Sequence, residues 1–368
     1  MTLILRSDSA AINHLGGRHG FTGPTDYVAM LDFSAGDYFK IDGGNRVDIP
    51  LSGAISVART SEGVVQRRDM SLYTVPANTP RLSYNSSKGV SGLLLEDPRT
   101  NLLTSGANGT ALTIPNGSGF VILSYAGGSA EITGTGLTYQ QTWESGGRTC
   151  KRYSRDSGVI SATLTTSGGA SDIQVELAVT NSGYYASLFM GYGGSKARDI
   201  ATLGPDVVPL LTSGSFSIIM QVVMNDAPLT AINSSEVIRV VSGSPYGGVL
   251  LKTVRSSGAS GSNTDTVHAL ADGSTTSATA LRSTLNGSYR ESTVFGVTCQ
   301  NFGDDLGIIS YGQYAKTVGA GVKFGAPAAA YIGGGPIGRA IGGLVTRVAI
   351  YDRMLSDTEA WRSATAWT

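Results

Sequence analysis

Along most of this chain, short runs of alternating apolar and polar residues are separated by clusters of Gly, Ser, Asn and Pro. A period of two is that of a strand with one buried face, whereas a helix repeats near 3.6. DIQVELAVT shows it best: Ile173, Val175, Leu177 and Val179 share one face, and Asp172, Gln174 and Glu176 share the other, which is expected to be solvated. The segments AMLDF, DYFKIDG, RVDIPL, AISVART, FVILSYA, AEITGTG, CKRYSRD, VISATLTTS, FSIIMQVVM and EVIRVVSG are read as strands in the same way. The expected fold class is therefore all-β.

Two places depart from simple alternation. In NTPRLSYNSSKGVSGLLLEDPRTNLL, residues 78 to 103, Pro80 and Pro98 fix φ and remove backbone donors, which suits strand starts, edges or turns. Leu93, Leu94 and Leu95 follow Gly89 and Gly92 as a buried strand entered through turns, and Glu96, Asp97 and Arg99 are expected to return the chain to solvent. Surface pairing of that kind contributes little. Near the end of the chain, Leu344, Thr346, Val348 and Ile350 are expected on one strand face, opposite Val345, Arg347, Ala349 and Tyr351. Ser356 and Glu359 then form a capping box for a short helix that Trp361 is expected to pin to the sheet.

Length suggests more than one domain among 368 residues. The division expected is an extended arm over 1–30, a β-rich module over 31–103 and β-sandwiches over 104–208 and 209–368. With 50 glycines and only 15% charged residues, the composition favours short strands and turns over amphipathic helices. Lys and Arg number 27, as do Asp and Glu, so no net field attracts nucleic acid or an anionic membrane. Cys150 and Cys299 are far apart and are expected to be free thiols, consistent with folding in a reducing cytoplasm. No secretory signal or span of about 20 apolar residues is visible, so a cytoplasmically made protein without membrane insertion is expected.

Catalytic patterns are scarce. There is no Gly-x-Ser-x-Gly elbow, and His14, His19 and His268 form no close ligand pair, so neither a triad hydrolase nor a metal site is expected. GGGPIG at 333–338 meets a dinucleotide-binding spacing, but Pro336 and a following strand make it turn chemistry. Asp304 and Asp305 are read first as a turn, second as calcium ligands and third as a glycosidase pair. No other cofactor is expected. Tyr246, Tyr311 and Tyr314 lie beside expected turns and, with Asp304 and Asp305, are the candidate glycan-binding residues.

The series Arg59-Thr60, Pro80-Arg81, Gly92-Leu93-Leu94-Leu95-Glu96 and Arg99-Thr100-Asn101-Leu102-Leu103 resembles a junction in tailed-bacteriophage tail-fibre and minor virion proteins. Residues 342–361 resemble the last strand and helix of a concanavalin A-like or laminin-G-like domain. Together these imply an N-terminal attachment module followed by two jelly-roll or concanavalin-like sandwiches. They also imply a homotrimer on the virion surface, bound to other virion proteins through its N-terminal region and to host surface polysaccharide through its sandwiches. A purely architectural decoration protein and a polysaccharide depolymerase are the alternatives.

Overall fold

The computed structural model describes residues 23–117, 119–145, 147–178, 187–224, 234–242, 244–255, 263–270, 277–285, 292–310, 312–318, 324–336 and 340–364. The fold is all-β, built from antiparallel sheets arranged as sandwiches. One large sheet runs in the order Gln313–Thr317, Asp305–Ser310, Ser292–Gln300, Phe216–Met224, Gly343–Tyr351, Ala29–Asp32, Asp37–Asp42 and Asn45–Asp48. Val90–Leu95 also pairs with Gly343–Tyr351 and carries Leu82–Asn85 beside it. The facing sheet runs Ser277–Leu285, Asn263–Leu270, Ser244–Arg255, Ser234–Ser242, Ala329–Ile332, Ile200–Leu203 and Ile55–Ala58. Both contribute to one core, in which Leu31, Ile55, Leu93, Leu203, Phe216 and Phe295 are buried together.

The expected separation of 31–103 from 209–368 does not follow these sheets. Ala29–Asp32 is hydrogen-bonded along Gly343–Tyr351, and Ile55–Ala58 along Ile200–Leu203, so the first part of the chain completes the sandwich built by the last. The reason is physical: local periodicity marks a segment as a strand but not which distant strand it pairs with. Residues 1–22 of the expected arm, with His14 and His19, lie outside the described residues. Residues 23–30 are no arm, since Tyr27, Ala29 and Met30 are buried and Ala29 opens a strand.

A second, smaller sandwich is inserted between Arg99–Thr100 and Ser195–Lys196, two short strands that pair with each other and form its neck. Its sheets are Ala111–Ile114, Ile160–Ser167 and Ser129–Thr133 on one side, and Leu137–Ser145, Arg148–Arg155, Phe120–Ala126 and Ser171–Ala178 on the other. Leu112, Val121, Leu123, Tyr153, Leu164 and Val175 fill the space between. The alternation in DIQVELAVT is present, with Ile173 and Val175 in this core, but Gln174 and Glu176 are not solvated. The returning segment covers them, and both oxygens of Glu176 accept from Ser187, the backbone N–H at 3.0 Å and the hydroxyl more closely. Cys150 and Cys299 are buried in different sandwiches, with no disulfide between them.

At the end of the chain, the strand faces differ from simple alternation. Gln221 pairs with Arg347 but Val222 with Val345, so Thr346 is bulged out of register. The bulge puts Val345 on the same side as Val348 and Ile350, while Leu344 joins Leu94 and Val223 on the other. The capping box forms: the Ser356 N–H donates to Glu359 Oε2 at 2.9 Å, and the Glu359 N–H points to Ser356 Oγ at 3.4 Å. Arg353, paired with this carboxylate at 2.7 Å, holds the Glu359 carboxyl down to about 2. The helix Asp357–Ala364 packs through Ala360 and Ala364, whereas Trp361 is 55% exposed and pins nothing. Trp361→Ala is therefore expected to change stability by less than about 0.5 kcal/mol. Ser356→Ala removes the cap and is expected to cost about 1 kcal/mol, both changes being read from urea denaturation midpoints.

Candidate functional site

The neck of the insertion is where the sequence series from Arg59 to Leu103 converges, and the structure turns it inward. Glu96, Asp97 and Arg99 are buried at 0%, 2% and 4% exposure, so the expected solvent-facing turn is instead the centre of a charge cluster. Arg81 Nη1 donates to Glu96 Oε2 at 2.9 Å, and its Nη2 donates to Asp199 Oδ2. Arg59 Nη1 donates to the other Asp199 oxygen at 2.9 Å, and the rest of its guanidinium is satisfied by the carbonyls of Ser61, Pro76 and Thr79. Lys196 lies 3.3 Å from Glu96 and donates to the Asp97 carbonyl at 2.6 Å. The Asp97 carboxylate in turn accepts from the Ala340 N–H at 3.0 Å. Gly63 lets the two guanidiniums approach, since a Cβ there would lie 2.6 Å from Arg81 Cδ and 2.9 Å from Arg59 Cζ.

The electrostatics follow from burial and partners. Burial pushes the Glu96 and Asp199 carboxyls up, but Lys196 and Arg81 outweigh it and hold both below the usual carboxylate range. Burial lowers the Lys196 ammonium despite Glu96, whereas for Arg81 the two carboxylates overcome burial and raise it. Asn101 completes the neck. Its Nδ2 donates to the Gly191 carbonyl at 3.0 Å, and its Oδ1 accepts from the N–H groups of Val175 at 3.0 Å and Leu103 at 3.2 Å. Arg59, Arg81, Glu96, Lys196, Asp199 and Asn101 each hold a partner from another part of the chain, so the cluster works as a fastening.

Outside the fastening, a groove of about 640 Å³ opens between the neck and the inserted sandwich. Thr60, Ser61, Thr100 and Ser195 bring hydroxyls to it, and Leu102 and Leu177 bring apolar surface. Among the described residues lining it, none is Asp or Glu. Arg99 and Lys196 also border it, and such a surface can hydrogen-bond a polyhydroxylated ligand and pack against its apolar faces. Glycoside hydrolysis needs a carboxyl pair across the bond, and this lining offers none.

The residues singled out from the sequence lie elsewhere. Asp304 accepts from Asn301 Nδ2 at 2.5 Å in a tight turn, and Asp305 is 3.7 Å from Lys316. The Tyr314 ring packs against the cluster beneath the last helix, and its hydroxyl donates to Asp357 at 3.3 Å; burial pushes that hydroxyl up to about 12. Tyr246 lies in the strand Ser244–Arg255, but its side chain, and Tyr311 altogether, are outside the described residues. Among the described residues, no group of three His, Cys, Asp or Glu is placed to hold a metal, and no helix is long and apolar enough to cross a membrane. Sequence reading missed Lys196 and Asp199. The available signal was a second charged turn, KARD at 196–199, set like EDPR between apolar strands in a chain poor in charge.

The fold and the groove define an all-β protein of two sandwiches joined at a charged neck. No family model matches the chain, and no curated protein matches it by sequence. Among solved structures, the CBM40 of the Ruminococcus gnavus IT-sialidase bound to alpha2,6 sialyllactose is 16% identical, with a TM-score of 0.33, over 44% of this chain and 88% of that one. A leech intramolecular trans-sialidase complexed with 2,7-anhydro-Neu5Ac is 14% identical, with a TM-score of 0.32, over 44% of this chain and 24% of that one. A Trypanosoma rangeli sialidase in complex with 2,3-difluorosialic acid is 16% identical, with a TM-score of 0.31, over 66% and 32% respectively. At these identities and scores no function is taken from them.

Arg81→Met leaves Glu96 and Asp199 buried with one cation fewer and is expected to cost about 3–5 kcal/mol, read from chemical denaturation. Arg81→Lys should also destabilise, because one ammonium cannot replace a planar fork that spans two carboxylates. The pH dependence has a definite sign. Carboxyls depressed in the folded state contribute stability that is fully present above their unfolded values near pH 4 and is lost as the pH falls through the folded ones. Melting temperatures are expected to fall steeply below about pH 4, and a flat profile down to about pH 2.5 would contradict the cluster.

Proposed function

We propose that this protein is a bacteriophage virion component, a tail fibre or receptor-binding protein, that adheres non-covalently to host surface glycan. The observation that carries the binding reading is the groove beside the neck, lined by four hydroxyl side chains, apolar surface and the cationic residues Arg99 and Lys196, without a carboxylate among its described residues. Its volume lies within the range of about 300–1,000 Å³ over which small-ligand pockets occur. The virion reading rests on the sequence resemblance, and its support is that Arg59, Arg81, Glu96, Arg99, Asn101 and Leu103 are all buried parts of one junction. On this reading the protein is a homotrimer, assembled in the host cytoplasm and displayed on the virion surface. Its N-terminal region meets other virion proteins, and repeated weak sites add through effective concentration. Neither catalysis nor a cofactor is invoked.

A second reading, a tail or head decoration protein without glycan binding, is favoured by one feature. Met70, Leu72 and Tyr73 on the hairpin Gly63–Gln66 and Leu72–Val75 are exposed, together with nearby Leu82, as a protein-contact surface would be. Calorimetric titration of the full chain with host surface polysaccharide separates the two. Binding is expected, with Ser195→Trp, which fills the groove, weakening it at least about tenfold. No binding, together with no competition for phage adsorption, assigns the protein to the architectural class. A fall in polymer size during the incubation would instead show a depolymerase.

A further inference from the structure

The inserted sandwich presents a polar sheet face where it meets the large sandwich. By register, Cys150 and Arg152 on one strand, Ser124 and Ile122 on the next, and Gln174 and Glu176 on the third share that face. Arg148 begins the first of these strands and lies 7% exposed. Its Nη2 donates to Ser124 Oγ at 2.8 Å and to the Asp172 carbonyl at 2.6 Å, both neutral acceptors. Its Nε is buried and has no acceptor. The carboxylate of Glu176, on the same face, is taken up by Ser187, so it and Asp172 act on Arg148 only through space. Burial accordingly lowers the Arg148 guanidinium below its ordinary value. Nearby, Arg59 and Arg81 each touch a carboxylate.

Arg148 borders a cavity of about 30 Å³ between the two sandwiches. Ser145 lines it from the insertion, Gln66 from the hairpin of Gly63–Gln66 and Leu72–Val75, and Ser83 and Asn85 from the large sandwich. A single water needs roughly 10–15 Å³ by the same measure, so the space admits a monatomic anion but no phosphate or sugar. A buried cation without a contacting counter-ion is the costly half of an ion pair, and hydroxyl and amide groups are the donors that complete an anion's shell. We propose that this cavity is a halide site, filled by chloride in solution, which pairs with Arg148 and helps hold the inserted sandwich against the large one.

Two measurements on the full chain test it. Crystals equilibrated with sodium bromide are expected to show an anomalous difference peak in the cavity beside the Arg148 guanidinium. In solution, the melting temperature in sodium chloride is expected to exceed that in sodium gluconate of equal ionic strength by about 2–4 °C. Arg148→Gln should abolish that difference, and Ser145→Ala, which keeps the cation, should reduce it. Absence of the bromide peak, or equal melting temperatures in the two salts for the unaltered chain, overturns the assignment and leaves a water-filled cavity.

Discussion

The neck of this protein depends on a buried exchange of charge among Arg59, Arg81, Glu96, Lys196 and Asp199. These residues come from three separated parts of the chain, and none can be buried alone at acceptable cost. Arg81 reaches both carboxylates, and the Glu96 and Asp199 backbones are linked directly, the Asp199 N–H donating to the Glu96 carbonyl at 3.1 Å. Removing any one segment would leave the others with uncompensated charge, so the fastening forms only when all three have converged. Its contribution lies less in net stability, where an apolar core of equal volume could compete, than in fixing which segments meet.

That fastening is where the two sandwiches are joined. The chain leaves the large sandwich after Val90–Leu95, passes the cluster at Glu96, enters the insertion past Asn101, and returns through Ser195–Lys196 to the same cluster at Asp199. Entry and exit are thus hydrogen-bonded to each other and to the charges beneath them. A groove formed at such a place keeps its shape without a contribution from long loops. This suits recognition through preorganised hydrogen-bonding edges, because the ordering cost is met on folding and not on binding.

The fold class was legible because strand alternation is local, and Leu93, Leu94 and Leu95 were rightly read as a buried strand. The capping box at Ser356 and Glu359 was legible for the same reason. What was misread required knowledge of a distant partner. Glu96, Asp97 and Arg99 look solvated because a charged turn between apolar strands usually is, and partners distant in the chain make their burial tolerable, among them Arg81 and Lys196 for Glu96, Arg198 and the Ala340 N–H for Asp97, and the Leu177 carbonyl for Arg99. Glu176 sits at a solvent-facing phase of a correct alternation, yet the chain returns at Ser187 to cover it. The bulge at Thr346 changes the strand phase without any Gly or Pro to mark it. Trp361 follows the capping box within one turn and is expected to pin the helix, whereas the helix buries its alanines.

The candidate site shows the same division. The residue types of Asp304, Asp305 and Tyr314 suit sugar recognition, and the structure gives each of them a partner of its own in Asn301, Lys316 and Asp357. The groove residues Thr60, Ser61, Thr100 and Ser195 carry no such signature, since hydroxyls are abundant throughout the chain. Their significance comes from convergence: Thr60 and Ser61 follow Arg59, Thr100 follows Arg99, and Ser195 precedes Lys196. Each hydroxyl thus lies within two residues of a buried cation, and Arg99 and Lys196 themselves border the groove beside the hydroxyls next to them. The charged residues that looked like surface chemistry act as the frame, and the plain residues beside them form the surface on which recognition can occur.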